Sequence, residues 1–171
     1  MNNKDIAAAV EEMATLMELK GENAFRIRSY ANAARQVELL PAPVTELLEQ
    51  GTLDSVRGIG SKMVANIQTL VETGQMPGYD ELVASIPEGL LEMIAVPGLG
   101  AKRVRSIYEQ LNLSDVDALG KACEAGEIQK LSGFGKKTEA NILQGIEYIQ
   151  QHRGRYLSRT ARAEADGIRA Y

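Results

Sequence analysis

One seven-residue pattern occurs three times in this chain of 171 residues, and it constrains the fold more than any other feature. The copies are Val56-Arg57-Gly58-Ile59-Gly60-Ser61-Lys62, Val96-Pro97-Gly98-Leu99-Gly100-Ala101-Lys102 and Leu131-Ser132-Gly133-Phe134-Gly135-Lys136-Lys137. Each reads apolar, any, Gly, apolar, Gly, any, Lys. A short helical stretch precedes each copy and an amphipathic pattern follows it. The apolar positions are Met63, Ile67, Leu70 and Val71 after the first, Val104, Ile107 and Leu111 after the second, and Ala140, Leu143 and Ile146 after the third. The unit is helix, tight hairpin, helix. The spacings of 40 and 35 residues are too uneven for a solenoid and suit related modules within two small domains.

The remaining chain reads helical as well. Ile6, Val10, Met13 and Met17 form one amphipathic stripe and Ile27, Tyr30, Ala34 and Val37 a second. Gly21 suits the stop between them and Asn23 the cap of the next start. Pro41 and Pro43 end the second helix, and Val44 to Glu49 makes a short third. Pro87 opens a helix from about Glu88 to Ala95, and Ser114 with Asp117 resembles a capping box for a helix reaching about Ala125. No alternating β-branched run is present, so the expected class is all-α, two small helical domains built around the hairpins. A composition of 44% hydrophobic and 25% charged residues belongs to a globular chain rather than a disordered one.

The hairpin has a chemistry. Glycines flanking an apolar residue permit positive φ and leave no side chain between backbone and ligand. The helix that follows points its unpaired N–H groups and the positive end of its dipole out of the turn, where a phosphate oxygen fits. Ile59, Leu99 or Phe134 turns inward, while Lys62, Lys102 or Lys137 adds charge, joined in the second copy by Arg103 and Arg105. Gly58, Gly60, Gly98, Gly100, Gly133 and Gly135 thus become candidate contacts to a nucleic-acid backbone, which carries no base information directly. One such turn alone is often only a helix stop; three in register argue for a shared ligand. The net charge of −4 requires that the contact be local rather than a matter of bulk charge.

Other residues exclude chemistries. One cysteine, Cys123, cannot close an intramolecular disulfide, and with His152 as the one histidine no zinc site can assemble. Cys123 sits among Ala118, Leu119 and Ala122 and reads as a small buried hydrophobe, and His152 reads as exposed near a helix end. No P-loop and no metal-binding carboxylate cluster is found. No apolar run reaches membrane-spanning length, and the start lacks the order of a signal peptide, so a reducing, cytoplasmic setting is expected. On the second helix, Arg26, Tyr30 and Arg35 can present charge and a phenol to a nucleic-acid end, whereas Phe25 is expected in the core.

The order of segments resembles the N-terminal half of a bacterial or archaeal family X DNA polymerase, a family that includes DNA polymerase beta. The segments are Glu18 to Arg26 (ELKGENAFR), Val56 to Lys62, Ile86 to Glu92 running into Val96 to Lys102, and Gly133 to Lys137. The resemblance implies a small domain over residues 1–78 that binds the 5′ side of a gap, and a fingers-like or thumb-like domain over 79–152 that holds duplex. It makes 153–171 the entry into a palm domain. The palm's paired aspartates, which would hold magnesium, have no counterpart before Tyr171. The chain is therefore expected to be part of a larger repair polymerase, not itself polymerising; the alternative is a self-contained helix-hairpin-helix scaffold of a repair or recombination complex.

The resemblance also implies a 5′-phosphate pocket at Arg26, Tyr30 and Lys62. It further implies a monovalent cation, potassium or sodium, between DNA phosphate and backbone carbonyls in each of the first two hairpins. The matching carbonyls are those of Asp54, Val56 and Ile59, and of Ile94, Val96 and Leu99. The lysine that forms a Schiff base in lyase-active relatives corresponds to Asn66, so efficient 5′-deoxyribose phosphate lyase activity is not expected. The implied partner is gapped or nicked duplex DNA.

Overall fold

A computed structural model describes the backbone of residues 1–168 and the side chains of residues 1–152. These residues contain nine α-helices, two single 3-10 turns and no strand, as the helical periodicity requires. The chain divides into two compact units, Met1–Pro87 and Glu88–Tyr171.

The first unit is organised by α1 (Asn3–Lys20) packed along α2 (Ala24–Leu39). Their apolar stripes bury Ile6, Val10, Met13 and Met17 against Tyr30, Ala34 and Val37, with Ile27 half-buried. Gly21 ends α1 in the left-handed region at φ 84°, and its N–H reaches the carbonyls of Met17 and Glu18. Asn23 caps α2, accepting the Phe25 N–H at 2.8 Å. The loop after α2 is held from a distance. Asn3 Nδ2 donates to the Ala42 carbonyl at 2.9 Å, while Asn3 Oδ1 accepts the Val44 N–H at 2.8 Å, just where α3 (Val44–Glu49) begins. A 3-10 turn (Leu53–Ser55), the first hairpin and α4 (Ser61–Thr73) follow, with Met63, Ile67 and Leu70 buried as their spacing demands.

The helix α5 (Tyr79–Ala84) also belongs to this unit, so the contact boundary lies at Pro87 rather than at residue 78. The reason is local: α5 packs on α1, and the Tyr79 hydroxyl donates to Glu12 Oε1 at 2.7 Å. That hydrogen bond, aided by burial and by the Glu12 and Asp80 charges, pushes the phenol up to about 12.

The second unit runs through α6 (Glu88–Ile94), the second hairpin, α7 (Ala101–Leu111), α8 (Val116–Glu124), a 3-10 turn (Ile128–Lys130), the third hairpin and α9 (Lys136–Ile168). The cap of α8 is Asp115, whose carboxylate accepts the Ala118 N–H at 2.7 Å, and not the Ser114 pairing expected from sequence. Gly145 on α9 lies against the second hairpin: a Cβ there would come within 2.9 Å of the Pro97 carbonyl oxygen and Val96 Cγ1. Cys123 is buried as expected, and burial with the Glu139 and Glu124 charges pushes its thiol up to about 11. His152 stands within α9 rather than at its end, its ring stacked on Tyr148 at 4.2 Å. The helix carries the chain as far as Ile168; the remainder of the segment assigned to a palm, and its side chains from 153 onward, lie outside the described residues. No helix among the described residues is long and apolar enough to cross a membrane.

Asn3 satisfies several backbone groups of the 40–44 loop, so Asn3→Ala is expected to cost about 1–3 kcal/mol in urea unfolding of the first unit. An unchanged midpoint would show that this bridge is not what holds the loop.

Candidate nucleic-acid interface

The three hairpins share one backbone. In each, the central apolar residue returns its N–H to the carbonyl three residues earlier: Ile59 to Val56 and Leu99 to Val96 at 3.0 Å, Phe134 to Leu131 at 3.1 Å. The central side chains are buried, which pins each turn to its core and leaves the glycines outside. Helices α4, α7 and α9 then start with bonds from Val64, Val104 and Glu139 N–H to the carbonyls of Gly60, Gly100 and Gly135, each 3.0 Å. The N–H groups of residues 61–63, 101–103 and 136–138 therefore have no partner within the described structure. Gly60 and Gly100 supply no side-chain cap.

The two glycines of each turn do different work. The first is left-handed, with φ of 92° at Gly58 and 82° at both Gly98 and Gly133. The second is not, so the freedom of positive φ that glycine permits is used at only one of the two positions. Gly60 has φ −83° and Gly100 φ −80°, conformations open to any residue, and Gly135 also lies outside the left-handed region. A Cβ on any of these three would meet nothing within 4 Å. Neither backbone conformation nor internal packing requires glycine there. What a Cβ would do is stand in the space in front of the free N–H groups.

Around the turns, Lys62, Lys102, Arg103, Lys136 and Lys137 are exposed. Arg103 folds back, one guanidinium nitrogen donating to the Gly98 carbonyl at 3.1 Å, so it braces the turn as well as charging it. Arg105 does not join this group; it runs along α7 to Glu109 at 2.6 Å and over the Tyr108 ring. In the third copy the buried helical face is Glu139, Ile142 and Ile146, and Ala140 is exposed. Glu139 was not foreseen. Its carboxylate accepts the Gln129 N–H at 2.8 Å and ties the preceding 3-10 turn to α9, at the helix position that Val64 and Val104 hold in the other copies.

The carbonyls implied as cation ligands differ in their hydrogen bonding. Those of Asp54, Ile59, Ile94 and Leu99 accept no hydrogen bond, while Val56 and Val96 each accept one and retain a lone pair. Oxygen donors of this kind suit a hard monovalent ion.

The residues implied for a 5′-phosphate fall on two helices bridged by a hydrogen bond, Asn66 Nδ2 donating to the Tyr30 hydroxyl oxygen at 3.0 Å. Arg26 lies one turn before Tyr30 on α2, and Lys62 one turn before Asn66 on α4. Arg26 pairs with Glu22 at 3.5 Å, and Lys20 reaches the same carboxylate at 3.2 Å. Tyr30 is buried, whereas Phe25, expected in the core, is 76% exposed with the Arg28 guanidinium 4.7 Å above its ring. Arg35 lies apart from these groups, on the rim of an open groove between α1 and α2.

Comparisons with known proteins agree with this architecture. A helix-hairpin-helix domain model matches residues 1–76, and a model for a SAM-like helix-hairpin-helix tandem matches residues 90–147. Over 146 residues, 85% of the chain, the sequence is 36% identical to the DNA polymerase/3′-5′ exonuclease PolX of Bacillus subtilis (strain 168). The chain spans about a quarter of that relative's length. Both units are thus helix-hairpin-helix domains, and the resemblance to the N-terminal part of a family X polymerase is borne out.

The glycine contrast gives a stability test. Gly58→Ala and Gly98→Ala are expected to cost about 1–2 kcal/mol each, because the added Cβ is forced into a left-handed backbone. Gly60→Ala and Gly100→Ala are expected to stay within about 1 kcal/mol of the parent, a poorer cap offsetting a stiffer unfolded chain. Equal losses at all four sites in thermal unfolding would contradict the division of roles.

Proposed function

We propose that this chain binds duplex DNA through its phosphate backbone and recognises the 5′-phosphate side of a gap, as the DNA-holding part of a family X polymerase acting in repair. The observation that carries the reading is the second glycine of each turn. It has no internal reason to be glycine, and it stands before N–H groups that have no partner. A phosphate oxygen supplies both the reason and the partner.

The helix-hairpin-helix matches and the likeness to a polymerase support DNA as the ligand. In the first unit the turn at Gly58, Ile59 and Gly60 meets the backbone, while Arg26, Tyr30 and Lys62 take the terminal phosphate. In the second unit the turns at Gly98, Leu99 and Gly100 and at Gly133, Phe134 and Gly135 hold duplex, with Lys102, Arg103 and Lys137 adding charge. The carbonyls of Asp54, Val56 and Ile59, or of Ile94, Val96 and Leu99, would hold potassium or sodium, which would supply positive charge for a phosphate. The chain's own part is to leave lone pairs on those oxygens without an internal hydrogen-bond partner. Asn66 gives no amine for attack on a sugar, since its nitrogen lone pair is delocalised into the amide, so the 5′-deoxyribose phosphate end is bound without efficient cleavage.

The test is fluorescence anisotropy with gapped duplex. Binding is expected to be independent of sequence, with a log affinity against log salt slope on the order of −3 to −6 for about four to six phosphates. A 5′-phosphate at the gap is expected to improve affinity about ten-fold over a 5′-hydroxyl. The Gly60→Ala, Gly100→Ala double variant is expected to bind duplex weakly while remaining folded. Undiminished affinity in that folded variant would overturn the backbone reading, and equal affinity for the two ends would overturn the gap reading.

A further inference from the structure

Tyr30 is an unusual residue to find on a buried helical face, because half of its hydrogen-bonding capacity is unspent. Its side chain is 7% exposed. Its oxygen accepts a hydrogen bond from Asn66 Nδ2, and no acceptor for its own hydrogen exists among the described residues. An amide NH2 can only donate, so this contact fills the acceptor role of the phenol and turns its O–H away from Asn66. The pair is part-buried, so that hydrogen stays open to an acceptor from outside the fold.

We infer that Asn66 is a positioning residue that fixes the Tyr30 hydroxyl as a donor toward a phosphate oxygen, and that it thereby sharpens the preference for a phosphorylated 5′ end. The inference rests on the proposed 5′-phosphate pocket and assigns within it a role to a residue that touches no ligand. The surroundings agree with the direction. Lys62 lies on the same face of α4 one turn before Asn66, and Arg26 lies one turn before Tyr30, so each member of the bonded pair has a cation one helical turn before it. An anion between them meets the free hydrogen of Tyr30. The carboxylate of Glu22, which now occupies Arg26 and Lys20, is the internal anion that a phosphate would displace. A residue at 66 that accepts rather than donates would reverse the arrangement, because Tyr30 would spend its hydrogen on that residue and present only lone pairs to the phosphate.

The measurement is the ratio of affinities for gapped duplex carrying a 5′-phosphate or a 5′-hydroxyl, taken in four proteins: the full chain, Asn66→Ala, Tyr30→Phe and the double variant. A merely structural role for Asn66 lowers both affinities together and leaves the ratio alone. The expected result is that Asn66→Ala lowers the ratio about three- to ten-fold in the parent and has no effect on it in the Tyr30→Phe background. Asn66→Asp is expected to lower the ratio further in the parent than in the Tyr30→Phe background, where only its charge acts. A ratio that falls equally in both backgrounds, or does not fall, overturns the positioning role while leaving the pocket standing. A ratio near one in the unmodified chain overturns the pocket and this inference with it.

Discussion

The interface depends on the burial of one apolar side chain between two glycines. Ile59, Leu99 and Phe134 are each drawn into a core, an effect of roughly 1.5–3 kcal/mol per side chain, and each holds its turn by a bond to the carbonyl three residues earlier. With the side chain inward, the flanking glycines are left exposed. The following helix then begins at the surface with three N–H groups free and its positive dipole end exposed. The chain concentrates favourable potential at these points, which is how a protein of net charge −4 can approach a polyanion.

The copies are not equivalent, and their differences follow from packing. A 3-10 turn precedes the first and third, whereas the second follows the α-helix Glu88–Ile94. In the second unit, Gly145 allows α9 to lie against Val96 and Pro97, so the helix that starts at the third turn also supports the second. Glu139 replaces a valine seat with a carboxylate bonded to the Gln129 N–H, exchanging apolar burial for a polar tie to the preceding turn. Pairing of this kind is what makes a buried carboxylate tolerable.

Much of this was legible in the residues. Gly21, Asn23 and the limits of Val44–Glu49 follow from cap and proline rules, and the inward direction of Ile59, Leu99 and Phe134 follows from the repeat itself. The exposure of Phe25 is legible too: it stands two residues before Ile27, about 200° around the helix from it, where periodicity places a residue outside. The Glu139 burial was visible only as an acid where two other copies carry valine, and an acid is by default a surface residue. The separate roles of the paired glycines could not be read at all. Sequence shows glycine in both cases, whether the cause is a positive φ or a space to be kept clear.

The claim that the free N–H groups are the contact points can be observed directly by a 1H–15N amide titration of the chain with duplex DNA. The account expects the largest shifts at residues 61–63, 101–103 and 136–138, all diminishing as salt is raised. Shifts concentrated elsewhere on the surface, with these nine amides unmoved at saturation, would contradict it.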